Sequence, residues 1–133
     1  MKQYLQIGVR IWSVVLFFLV FMFLLMSFSE YTHSIPWLSY FLRHGNYSWD
    51  YEAMFATINL VWGIYLWKAS GNLSRYEEFL GFTAWANLAH GAFMFMLALV
   101  RADNYSMLLG DGFLLLLAGF ILLYLNQAYR NEK

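Results

Sequence analysis

The sequence predicts an all-α integral membrane protein: an antiparallel four-helix bundle with a short interfacial helix in its first outer loop. Three observations carry this. Apolar residues make up 62% of the 133 residues and charged residues only 12%, about half the share of an ordinary soluble domain. Four apolar stretches approach or exceed the length that crosses a bilayer, about 20 residues. The basic residues gather on alternate connections, as cytoplasmic loops do. A soluble domain of this size has too much surface for so few charges, so the expected solvent and first partner is the lipid bilayer. Eight basic and eight acidic residues cancel, which leaves no electrostatic footprint for nucleic acid. The chain has no cysteine, which excludes disulfides, thiolate metal sites and thiol catalysis.

The first predicted span covers 11–28 and contains the run from Val14 to Phe21. Lys2 and Arg10 precede it and Ser27-Phe28-Ser29 follows, an outline shared with signal peptides. Its apolar run is long for that reading, and a true span is expected. A long connection, 29–50, comes next and is too aromatic for a solvated linker. Ser34 and Pro36 resemble a helix start. Ile35, Leu38, Phe41 and Leu42 then recur at helical spacing, predicting a helix lying flat on the outer leaflet and ended by His44-Gly45-Asn46.

The second span is expected over 51–67. Ser70-Gly71-Asn72 reads as a turn, with the polar stretch from Ser74 to Glu78 after it. The third span is expected over 79–100 and the fourth over 107–125, joined by a short link at Ala102-Asp103-Asn104-Tyr105. Because hydrocarbon cannot satisfy backbone hydrogen bonds, each span must be helical. Lys2, Arg10, Lys68, Arg75, Arg130 and Lys133 fall on one side; Arg43 and Arg101 fall on the other. In a bacterial inner membrane both termini would then be cytoplasmic. Trp37, Tyr40, Tyr47, Trp49, Tyr51 and Tyr105 would form an outer aromatic belt. Tyr4, Trp12, Trp67, Tyr76, Tyr124 and Tyr129 would form the inner one.

Span one is apolar all round and offers no evident packing face. The other three carry small and polar residues in stripes: Glu52, Ala56, Asn59 and Gly63; Thr83, Asn87, Gly91, Met94 and Ala98, with His90 beside them; Asp111, Ala118, Gly119, Leu122 and Asn126. Small residues let helices approach, and polar ones prefer a bundle interior to lipid. Spans two, three and four are therefore expected to meet at a polar seam. At about 1.5 Å of rise per residue, Glu52 and Asp111 share an outer layer with Arg101 and Arg43 above them. Asn59, Asn87 and His90 lie nearer the midplane.

An acid within a span costs at least about 2.5–3.5 kcal/mol on insertion scales and commonly marks a site or a partner. Glu52 and Asp111 together could bind a proton or a hard cation. Alternatively, each pairs with an arginine, Asp111 with Arg101 and Glu52 with Arg43, or sits at a helix start where negative charge is favourable. His90 could relay protons or ligate a metal or haem, or it could bond Asn59 or Asn87 and glue two helices. Bis-histidine haem lacks a second histidine at matching depth. Direct coordination of one metal by Glu52, His90 and Asp111 would have to span about 9 Å of depth. The methionines, Met94 and Met96 among them, read as packing. No metal or cofactor is assigned.

Three stretches read together: Tyr51-Glu52-Ala53-Met54, Phe82-Thr83-Ala84-Trp85-Ala86-Asn87-Leu88-Ala89-His90-Gly91, and Leu108-Leu109-Gly110-Asp111. In these the chain resembles an uncharacterised family of small bacterial four-span membrane proteins, DoxX-like in architecture. Asn87 stands where serine is expected in relatives. Gly112-Phe113 stands where a nearby proline is commoner. The resemblance implies four membrane helices with Glu52, Trp85, His90 and Asp111 as marked positions, and implies no activity. The first functional expectation is a non-catalytic bundle subunit, packing against itself or within a larger membrane complex. The alternatives are a proton- or cation-coupled transporter using Glu52 and Asp111, and a membrane enzyme or cofactor carrier using His90.

Overall fold

A computed structural model describes residues 1–28, 49–100 and 112–132. The proposed interfacial helix of the first loop lies outside them, as do Arg101 and Asp111. Four long helices form an all-α bundle: α1 (Lys2–Phe28), α2 (Trp49–Gly71), α3 (Glu77–Val100) and α4 (Phe113–Asn131). Three of them, α1, α3 and α4, are long and apolar enough to cross a membrane. Helix α2 has 23 residues, a comparable length, but Asp50, Glu52 and Lys68 together with its tryptophans and tyrosines lower its hydropathy.

The helices outrun the predicted spans. Helix α1 begins at Lys2, nine residues ahead of the expected start. The segment with Gln3, Gln6 and Arg10 keeps its backbone bonds in the same helix as the apolar run. Twenty-seven residues extend about 40 Å at 1.5 Å each, more than the about 30 Å of hydrocarbon, so this polar first third can reach the head-group layer. Helix α4 likewise continues to Asn131, six residues past the predicted end.

The packing is pairwise. Helix α1 lies chiefly against α2 and α3 chiefly against α4, while α1 and α4 join the two pairs. This corrects the expected seam of spans two, three and four, with span one uncommitted. Leu5, Val9, Ser13, Leu16 and Val20 are all buried, at spacings of four, four, three and four, so α1 has a definite inner face. A helix rich in Val, Leu and Phe on every side hides that face from a hydropathy reading; Ser13 is its one polar mark.

A core of Leu5, Val9, Leu66, Ala69, Leu73, Leu80, Ala84 and Leu122 sits toward the end where α2 turns into α3. We call this the turn end. The outer surface carries Ile7, Ile11, Val14 and Phe18 of α1, and Phe82, Phe93, Phe120 and Tyr124 of α3 and α4, all more than half exposed. Such an apolar exterior suits lipid. Of the predicted inner belt, Tyr4, Trp67 and Tyr124 are exposed as expected, but Tyr129 is buried. Its hydroxyl lies 3.3 Å from Ser74 Oγ, so a hydrogen bond to the turn draws it inward.

Candidate functional site

The small and polar stripes are buried almost throughout, and each has a specific partner. On α2, Ala56, Asn59 and Gly63 are buried and turn to α1. The Ser13 hydroxyl donates to the Gly63 carbonyl at 2.8 Å. A Cβ at Gly63 would stand 2.9 Å from Phe17 Cε1, so the missing side chain is what admits the ring. On α3 and α4 the contact is closer still. A Cβ at Gly91 would meet Gly112 O and Leu116 N, each at 2.9 Å, and one at Gly119 would meet Leu88 N at 2.9 Å. These two glycines bring backbone against backbone, the small-residue contact of membrane helices.

Among the described residues the two carboxamides donate along their own helices rather than to each other. Asn59 Nδ2 donates to Phe55 O, and Asn87 Nδ2 to Thr83 O, both at 2.8 Å. Each bond runs back four residues along its own helix and engages one amide N–H locally. A shared amide layer, with a histidine glued between, is thus corrected to two side chains that close on their own backbones.

His90 is exposed and makes no hydrogen bond to another described residue. The expected inward placement fails on helical phase combined with the short reach of the α2–α3 contact. Gly91 and Asn87 mark the face toward α4, and at about 100° per residue His90 falls on the flank turned toward α2. Helices α2 and α3 touch there chiefly near the turn end. Trp62 stacks on Phe82 at 6.0 Å and Tyr65 packs on Phe79 at 5.9 Å, while the Trp62 indole donates to Thr83 Oγ1 at 3.0 Å. About two to three turns further on, at His90, the imidazole is left on the surface. Trp85, another marked position of the resemblance, is also exposed.

Glu52 lies within α2, two turns from Asn59 and on the same helical face by register. Its side chain, and the whole of Arg101 and Asp111, fall outside what the structure describes. Among the described residues no three His, Asp or Glu side chains come together as a metal set would.

A polar cluster at the turn end was not anticipated. Arg130 of α4 reaches Glu77 through Nε and Glu78 through Nη2, both at 2.7 Å. The terminal amine of Met1 pairs with Glu132 at 3.1 Å. Asn126 is buried, and its Nδ2 donates weakly to Glu77 O at 3.5 Å. The available signal is that Glu77 and Glu78 follow the turn carrying Arg75, on the side to which Arg130 also belongs. The missing information was which helices adjoin there.

No protein-family model, curated protein or solved structure matches the chain. The resemblance to a four-span family, and the DoxX-like comparison, therefore rest on the three quoted stretches alone. The structure itself supports a small all-α protein with apolar helices suited to a multi-pass membrane protein.

Proposed function

We propose that this chain is a four-span integral membrane protein of the bacterial inner membrane, with both termini cytoplasmic, acting as a non-catalytic helix-bundle subunit of a membrane complex. The observation that carries the reading is the self-closure of the buried amides: Asn59 and Asn87 each bond their own helix. Catalysis needs polar groups that converge on one reacting position; here the two amides turn back on their own helices, and it is Gly63, Gly91 and Gly119 that bring neighbouring helices together. The basic end supports the orientation. Arg10 bonds Ser70, and Arg130 joins the start of α3, so these residues share the turn end with Lys2 and Lys68, as expected of a cytoplasmic face.

Exposed His90 supports a neighbour in the membrane. An imidazole facing acyl chains near mid-span is costly, and a second helix surface supplies it a partner. The test is purification from native membrane in mild detergent, followed by mass measurement of the intact particle. A defined stoichiometry with itself or with a second protein supports the proposal. A strictly monomeric particle overturns it. The transporter alternative makes the opposite demand: in proteoliposomes Glu52→Gln and Asp111→Asn would abolish proton-linked flux while assembly persisted.

A further inference from the structure

Two open surface recesses lie beside α1, one against α2 and one against the turn that follows it, and they differ in chemistry. The first, about 330 Å³, is bordered by Phe17, Ile64 and Trp67, with Lys68 at its rim. The second, about 170 Å³, is polar and bordered by Lys2, Gln6, Ser70, Asn72 and Ser74. Six residues separate Ile64 from Ser70, about 9 Å along α2. On α1, Lys2, Gln6, Arg10 and Phe17 fall on one helical face by register. The recesses thus follow one another along the same side of the α1–α2 pair, apolar first and polar toward the turn end.

The charge around them is unbalanced. Glu77 and Glu78 are engaged by Arg130, and Glu132 by the terminal amine. Lys2, Arg10, Lys68 and Arg75 make no ion pair with a described carboxylate. Arg10 is instead held by Ser70 Oγ at 3.3 Å. Lys68 and Arg75 lie over the rings of Tyr65 and Tyr76. Ser70 is buried and donates its own proton to Trp67 O, which orients its oxygen to receive Arg10. The carbonyl end of α2 opposes an anion with about half an elementary charge; four cations outweigh it.

From this we infer that the groove binds one anionic phospholipid: its acyl chain lies along Phe17, Ile64 and Trp67, and its phosphate rests between Lys68, Arg10 and Lys2. Basic pockets between membrane helices on the cytoplasmic side recognise lipid head groups in this way. An acyl chain is required because the larger recess is apolar and offers free phosphate nothing. The inference rests on the chain residing in a bilayer.

The test uses the full chain in mild detergent, incubated with equal amounts of phosphatidylglycerol and phosphatidylcholine and read by native mass spectrometry. Phosphatidylglycerol adducts should predominate. Lys2→Gln and Lys68→Gln should each lower that preference about fivefold, near the effect of one basic residue at an anionic surface. Both lysines are exposed, so neither substitution threatens the fold. Ile64→Trp, which fills the apolar part, should reduce retention of both lipids. Equal retention of the two lipids by the unaltered chain, or an unchanged preference in the Lys2→Gln, Lys68→Gln double variant, overturns the proposal. So does displacement of the lipid by millimolar inorganic phosphate, since the head group alone would then suffice. Release of the protein from membranes by alkaline carbonate would instead refute membrane residence, a separate failure.

Discussion

Ser13 of α1 donates its hydroxyl to the Gly63 carbonyl of α2 at 2.8 Å, just where a Cβ on Gly63 would touch the Phe17 ring at 2.9 Å. One missing side chain therefore admits both a hydrogen bond and an aromatic ring. Ser13→Ala removes the bond but leaves the Gly63 carbonyl within its helix. The expected loss is about 0.6 kcal/mol, the average for side-chain hydrogen bonds between membrane helices. Gly63→Leu should cost more, about 1–3 kcal/mol, through overpacking. Reversible unfolding in mixed micelles measures both.

The glycines should rank by what a new methyl would strike. Gly91→Ala and Gly119→Ala meet backbone atoms at 2.9 Å, which cannot rotate away, so each should destabilise by about 1–3 kcal/mol. Gly63→Ala meets only the edge of a ring and should cost less. Gly71→Ala meets nothing within 4 Å and should be neutral or stabilising by up to about 1 kcal/mol, since alanine is the better helix residue. Thermal unfolding of the four variants in one detergent checks the order.

Arg130 joins two carboxylates at the turn end while itself remaining 39% exposed. Solvent and salt screen such a pair, so Arg130→Gln should cost only about 0–1 kcal/mol. The difference from the unaltered chain should shrink as salt rises from 0.05 to 0.5 M, roughly a threefold contraction of the screening length. A loss independent of salt would show that packing of the arginine stem, rather than charge, is what matters.

His90→Leu separates surface from interior. An imidazole gluing two helices would leave a buried amide unpaired on removal, at about 1–3 kcal/mol. With His90 exposed and both asparagines donating to their own helices rather than to it, the substitution should change monomer stability by no more than about 0.5 kcal/mol. Assembly should respond instead: the particle mass measured from native membrane should fall toward that of the monomer.

All four helices were legible as long apolar runs, and the inner faces of α2, α3 and α4 because glycine, alanine and asparagine interrupt those runs at helical spacing. The residues of those stripes are buried at almost every described position. Their partners were not legible. Gly63 reads alike whether it faces α1 or α3, and what decides the matter is Ser13, a single hydroxyl in a uniformly apolar helix. His90 was misplaced for a related reason: it shares a helical phase with buried Thr83, seven residues earlier, but the α2–α3 contact that covers Thr83 lies near the turn end and does not reach it. The Trp62–Thr83 hydrogen bond and the Arg130 cluster depend on which helices adjoin, a fact carried by the fold rather than by any local pattern.

Pairing of sequence neighbours, α1 with α2 and α3 with α4, has a consequence for biogenesis. Most close contacts form between segments that leave the ribosome one after the other, so each hairpin can settle in the membrane before the next is made. The turn between α2 and α3 is therefore the natural place to divide the chain. Two separately synthesised halves, 1–72 and 73–133, should find one another in the same cell, joined through the α1–α4 contact and the aromatic stack at Trp62.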